Sequence, residues 1–162
     1  MDVKKRLKGK KVLIVDDEKD ILDQLMEILA MCSVDKASTF EDAKELLETN
    51  FYHIAVLDIM GVHGYELLEI ANKKNVPALM LTAHALSKKN LKKSFKKGAS
   101  YYVPKDEMSK VDVFLADILE AREKDKNVVI KWYERLSGFC ERRFGPDWRD
   151  DEPEFWDHLL KY

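Results

Sequence analysis

The chain has 162 residues, 46% of them hydrophobic and 36% charged, with a formal charge of −2. That length accommodates one ordinary domain of ~100–150 residues with an appendage, and that composition excludes a disordered or fibrous chain. Residues 1–105 hold 18 Lys/Arg against 15 Asp/Glu, whereas residues 106–162 hold 10 against 15, so the C-terminal third is acidic and ill suited to neutralising the phosphates of DNA.

No apolar run approaches the ~20 residues needed to cross a bilayer, so no membrane segment is expected. The basic start, Met1–Lys11, leads into only four apolar residues before two aspartates, which is not the pattern of a signal peptide. Cys32 and Cys140 lie far apart without a C-x-x-C pair, and are expected to be packing residues in a reducing cytoplasm.

In chain order, the first apolar run is Val12–Val15. A run that is apolar at every position is a strand covered on both faces, the mark of a parallel sheet with helices on each side. Glu18–Met31 follows with Ile21, Leu22, Leu25, Met26, Ile28 and Leu29 on one helical stripe. A weaker strand is expected at Val34–Ala37, then a helix opened by the capping box Ser38-x-x-Glu41 with Ala43, Leu46 and Leu47 inward. Ile54–Leu57 is the second strong strand, and Tyr65–Lys74 a helix with Leu67, Leu68 and Ala71 toward the sheet. Ala78–Leu81 is the third, followed by a helix over Ser87–Lys97 that ends at Gly98, a weak strand Tyr101–Val103 and a helix from about Met108. This order predicts a doubly wound α/β fold around a five-stranded parallel sheet.

From Asp106 to Ser137 there is no glycine or proline, and Val129, Trp132, Tyr133, Leu136, Phe139 and Cys140 keep helical spacing. A long or twice-broken helix is expected, stopped by Gly145-Pro146. Glu152-Pro153-Glu154 starts another, with proline in its first turn. The aromatic residues of this tail are too many to remain in water. Residues 123–162 are therefore expected to form a helical extension that covers apolar surface on a domain spanning 8–122, rather than an independent effector. Lys88, Lys89, Lys92, Lys93, Lys96 and Lys97 repeat in pairs every four residues, either as a solvated face or as a basic surface for the acidic stretch Asp147–Glu154 of the same chain or of a second protomer.

Ligands of open α/β sheets bind beyond the carboxyl ends of the strands. The first strand ends in Asp16-Asp17, the third in Asp58, the fourth in Thr82, and the fifth in Lys105 after Pro104. Three carboxylates in one place repel one another unless protons or a cation relieve them. Magnesium suits an all-oxygen donor set that leaves room for phosphate oxygens, and Lys105 adds a fixed positive charge.

Val12-Leu13-Ile14-Val15-Asp16-Asp17-Glu18, the strand-ending Asp58, Leu81-Thr82-Ala83 and Pro104-Lys105 resemble, in this order over residues 8–122, the receiver domain of two-component response regulators. The resemblance implies a flavodoxin-like receiver with strand order 2-1-3-4-5. It implies that Asp58 takes a phosphoryl group from a sensor histidine kinase or a histidine phosphotransfer protein. It further implies Mg2+, or Mn2+ in its place, held by Asp16, Asp17, Asp58 and the backbone carbonyl of Met60. Thr82 is then the hydroxyl that bonds the phosphoryl group, Lys105 the ammonium that steadies it, and Tyr102 an aromatic that changes rotamer in response. Output by protein contact is implied, with a homodimer through the fourth helix, fifth strand and fifth helix, or through the C-terminal extension, as one form of it. His84, two residues after Thr82, borders the implied site, as a residue that tunes dephosphorylation or as a solvated loop histidine.

Two features depart from the family. The run Ile59-Met60-Gly61-Val62-His63-Gly64 lacks the usual proline and reaches its glycine early, so a shorter loop over the site is expected. Asp106 stands after Lys105 where many members have a proline. Among other functions, a magnesium-dependent phosphatase with an aspartate nucleophile needs a second aspartate two residues on to act as acid and base, and Met60 occupies that position. A nucleotide-binding module lacks its glycine-rich loop after the first strand, and the tail lacks a helix-turn-helix with a basic recognition face.

Overall fold

In the computed structural model, which describes residues 2–83 and 86–161, the three all-apolar runs are the middle of one sheet. β1 (Lys11–Val15), β3 (Ile54–Asp58) and β4 (Ala78–Thr82) lie between β2 (Ser33–Ala37) and β5 (Tyr101–Pro104), in the order β2-β1-β3-β4-β5. Every pair is parallel. Every residue of β3 and β4 is buried, which is why these runs carry no polar alternation. β2 is an edge strand with only Ala37 buried, so its sequence signal is weak.

The register sets the site. Val15 pairs with Leu57, Asp58 with Leu81, and Thr82 with Pro104, so the carboxyl ends of β1, β3, β4 and β5 finish at one edge of the sheet. The expected topology, strand count and strand order are all found.

An N-terminal helix, α1 (Val3–Leu7), was not anticipated. It is five residues long and buries only Leu7, too little for a periodic signal. The Asp2 side chain caps it by accepting from the Lys5 N–H at 3.2 Å. α2 (Lys19–Ile28) buries Leu22 and Leu25 and stops short of Met31, because Leu29 to Cys32 form a turn that hands the chain to β2. α3 (Phe40–Thr49) starts one residue later than the expected box. Its cap is Thr39, whose hydroxyl accepts from the Asp42 N–H at 3.2 Å, in place of Ser38 and Glu41. α4 (Gly64–Lys73) buries Leu67, Leu68 and Ala71 as expected. α5 (Lys88–Lys96) is capped by the Ser87 hydroxyl, which accepts from the Asn90 N–H at 3.1 Å.

After a 3-10 segment at Lys105–Lys110, α6 (Val111–Glu123) packs against α1 and α2. The break before α7 (Val128–Phe144) is made without glycine or proline. Asp125 adopts a left-handed φ of 52°, and the Asn127 side chain caps the new helix by accepting from the Val129 N–H at 3.0 Å. α8 (Pro153–Leu159) begins at Pro153 as expected. Among the described residues no helix is long and apolar enough to cross a membrane.

The extension folds back on α5, β5 and α6. Trp132 is fully buried; its ring meets Phe95 edge-on at 4.7 Å between centroids and stacks on Trp156 at 6.0 Å. Its indole N–H donates to the carbonyl of Tyr102 at 2.8 Å. Asp117 of α6 is buried, pairs with the Arg135 guanidinium and accepts from the Tyr101 hydroxyl at 2.9 Å. The basic face of α5 meets the acidic stretch of its own chain: Lys92 Nζ lies 2.9 Å from Asp151, and Lys96 Nζ 3.1 Å from Glu152. Lys93 instead sits 4.4 Å over the Tyr65 ring. Replacing Trp132 with Ala removes the centre of this cluster. It is expected to take about 3–5 kcal/mol from the unfolding free energy, read as a lower urea midpoint.

Candidate functional site

β1 delivers Asp16 at its end, fully buried, with its N–H donating to the Ala37 carbonyl at 3.2 Å. One carboxylate oxygen, Oδ1, accepts from the Glu18 N–H at 2.9 Å. The other, Oδ2, is buried and has no directed hydrogen bond among the described residues. It forms an ion pair with Lys105, whose Nζ lies 3.0 Å away. β3 ends on Asp58, 4% exposed, whose Oδ1 is 3.7 Å from the same ammonium. β4 ends on Thr82, also buried. Lys105 follows β5 directly, and its side chain is only 8% exposed.

The chain after Asp58 closes tightly. The Gly64 N–H donates to the Ile59 carbonyl at 3.0 Å, and α4 starts so close to β3 that a side chain at Gly64 would collide with the Asp58 carbonyl. Gly61 has a φ of 84°, and a Cβ there would lie 2.5 Å from Asp17 Oδ2. Glycine is needed at Gly64 because the Asp58 backbone leaves no room, and at Gly61 because of its left-handed φ beside the Asp17 carboxylate. Met60, between them and Asp58, is 53% exposed on the outside of this loop.

Glu18 was not singled out in the sequence beyond its place in the Asp16-Asp17-Glu18 run. Its Oε1 is 3.3 Å from Lys105 Nζ, and ligand atoms of Asp16, Asp17 and Glu18 fall within 4.8 Å of one another. Tyr102 is buried at 2% exposure on β5, where it pairs in register with Met80 of β4. His84 falls outside the described residues.

The electrostatics follow from this crowding. Burial and then the Asp16 charge push Asp58 up to about 7, against the pull of Lys105 and with smaller upward pushes from Asp17 and Glu18. Burial also raises Asp16, in spite of the Glu18 N–H and Lys105. On Lys105, burial acts downward, but Asp16, Asp58 and Glu18 outweigh it and hold the ammonium above its usual range. A crowded set of carboxylates that share one ammonium fits a hard divalent cation that takes oxygen ligands.

A doubly wound sheet with an acidic pocket and a buried lysine at its carboxyl edge defines an α/β domain built to handle a charged group there, and the comparisons narrow the class to a signalling domain. Residues 12–118 match the response regulator receiver domain family. Among solved structures, a CheY-like receiver domain protein from Methanospirillum hungatei is 30% identical, with a TM-score of 0.61 over 72% of this chain and 98% of that one. The BeF3-activated receiver domain of DrrB, a Thermotoga maritima regulator, is 29% identical, with a TM-score of 0.61 over 69% of this chain and 98% of that one. The two-component response regulator ARR18 of Arabidopsis thaliana is 34% identical over 83 residues, which are 48% of this chain and 13% of that protein. The chain belongs to the response regulator receiver domain family of two-component systems.

Asp58 binds its proton more tightly folded, at about 7, than at its ordinary value of 3.8. Its ionisation therefore weakens the fold as pH rises through that window. In the absence of divalent cations, Asp58→Asn is expected to raise the thermal midpoint at pH 8 by about 3–6 °C, equivalent to roughly 1–2 kcal/mol. The gain should vanish below pH 4, as followed by circular dichroism.

Proposed function

We propose that the chain accepts a phosphoryl group on Asp58, from a phosphohistidine of a sensor histidine kinase or histidine phosphotransfer protein, in a magnesium-dependent reaction. The observation that carries this is the placement of Asp58, buried at the end of a central strand and ion-paired with Lys105, in a chain of the receiver family. Asp16, Asp17, Asp58 and the Met60 carbonyl would hold the cation, with Mn2+ as a substitute. When bound, it neutralises the carboxylates and draws phosphoryl oxygens to the site.

Asp58 acts as a carboxylate nucleophile: its oxygen forms the new bond to phosphorus as the phosphorus–nitrogen bond to the donor histidine breaks, and the electron pair of that bond stays with the imidazole. Lys105 already lies against Asp58, so its ammonium can meet the added negative charge without reorganisation. Thr82, at the end of the neighbouring strand, donates its hydroxyl to the phosphoryl group, and Tyr102 changes rotamer in response. Turnover of a metabolite is disfavoured, since the position two residues after Asp58 is the exposed thioether of Met60, which cannot act as acid or base.

In this reading residues 8–122 are the phosphoacceptor domain and residues 123–162 its helical extension, working in the cytoplasm by protein contact rather than on DNA. A homodimer through α5, β5 and α6 would have to meet the extension that lies there. Incubation with magnesium and acetyl phosphate is expected to add one acid-labile phosphoryl group to the wild type and none to Asp58→Ala, by intact mass. A phosphoryl group on the variant, or none on the wild type, would overturn the assignment.

A further inference from the structure

α5 and β5 carry a docked partner that the chain itself supplies, and its contacts converge on the strand next to the site. The Trp132 indole donates to the Tyr102 carbonyl at 2.8 Å while its ring packs on Phe95. Arg135 pairs with Asp117, which accepts from the hydroxyl of Tyr101. Two adjacent residues of β5 are thus tied to α7, one through its backbone and one through its side chain. The ion pairs of Lys92 and Lys96 with Asp151 and Glu152 add a second anchor on α5. Asp151 and Glu152 are 43% and 38% exposed, so these pairs are screened by salt and hold weakly.

Tyr102 lies on β5 between α7 and β4: its carbonyl accepts from Trp132 on one side, and on the other it pairs in register with Met80, two residues before Thr82 on the neighbouring strand. α7 packs against β5, and both Tyr102 and Cys140 of α7 are buried, at 2% and 3% exposure.

We infer that residues 128–160 are a resident, displaceable occupant of the α5–β5–α6 face, and that the docked extension and a phosphoryl group on Asp58 stabilise each other by holding the same buried position of Tyr102. This rests on Asp58 being the phosphoacceptor. A phosphoryl group draws the Thr82 hydroxyl toward Asp58 and with it the end of β4, against which β5 is registered; Trp132 of α7 holds Tyr102 through its carbonyl from the other side. Coupling of this kind is reciprocal, so whatever loosens the extension weakens the phosphorylated state by the same factor. A protein that engages this face from outside must displace the extension. It fits by matching the occupant: a helical segment with a carboxylate pair for Lys92 and Lys96 and an indole for the surface of Phe95.

The test uses the full chain with magnesium and acetyl phosphate, measuring intact mass and amide hydrogen exchange on the same sample. Phosphorylation is expected to slow exchange in 128–144 and 153–159 about fivefold, with no change in Asp58→Ala. Glu152→Lys, at a partly exposed position, should speed exchange in 153–159 and shorten the lifetime of the phosphoryl group. Adding Lys96→Glu should restore both in part, since Lys92 also lies 3.4 Å from Glu152. A phosphoryl mass on the wild type with unchanged or faster exchange in the extension overturns the coupling alone. Absence of the phosphoryl mass overturns the phosphoacceptor reading, and the coupling with it.

Discussion

Lys105 leaves the end of β5 beside Pro104 and carries an almost fully buried ammonium to within 3.0 Å of Asp16 and 3.7 Å of Asp58. Two buried carboxylates at the ends of adjacent strands would otherwise repel in a region with little water to screen them. Burial raises Asp58 most, and because a single positive charge does not cancel two negative ones, Asp16 pushes it further above the ordinary carboxylate range. The pocket is thus held together while keeping a residual demand for positive charge. The parallel register makes this arrangement compulsory, because it fixes where β1, β3, β4 and β5 end. Gly61 and Gly64 then let the loop after Asp58 close without displacing either Asp17 or the Asp58 backbone.

The extension answers a different demand. α5 presents lysines on its outer side and β5 leaves large apolar surface beside them, and an acidic, tryptophan-rich tail matches both. Apolar burial supplies the larger part of that hold. Trp132, Trp148 and Trp156 are each at most 2% exposed, whereas partly exposed ion pairs contribute little individually. The uneven charge of the chain is therefore a matter of internal complementarity: acidic residues of the tail, at Asp151 and Glu152, lie against lysines of α5.

The sheet was legible because its central strands are covered on both faces and so read as unbroken apolar runs, at Val12–Val15, Ile54–Leu57 and Ala78–Leu81. The strand-end positions of Asp16, Asp58, Thr82 and Lys105 followed from that order alone. What local pattern cannot resolve is where two equivalent signals adjoin. Ser38 and Thr39 each have an acidic residue three positions on, and packing selects Thr39. The break before α7 was allowed for but not placed by its local signal, because a left-handed Asp125 and an Asn127 cap do the work usually given to glycine. The reach of Glu18 to Lys105 spans 87 residues of sequence, and the choice of Lys96 over Lys93 depends on which side of α5 the tail takes. Both are tertiary facts.

The two free edges of the sheet differ in how they meet other chains. β2 is largely exposed and bears Asp35 and Lys36, and charged side chains on an edge strand discourage further strands from pairing with it. β5 carries no charge of its own until Lys105, but its Tyr102 carbonyl already accepts from an indole and α7 lies along it. Strand addition, the common route by which an open sheet recruits a peptide or polymerises, is therefore obstructed at both ends. Such a molecule can gather partners through side chains and helices while its backbone stays closed to them.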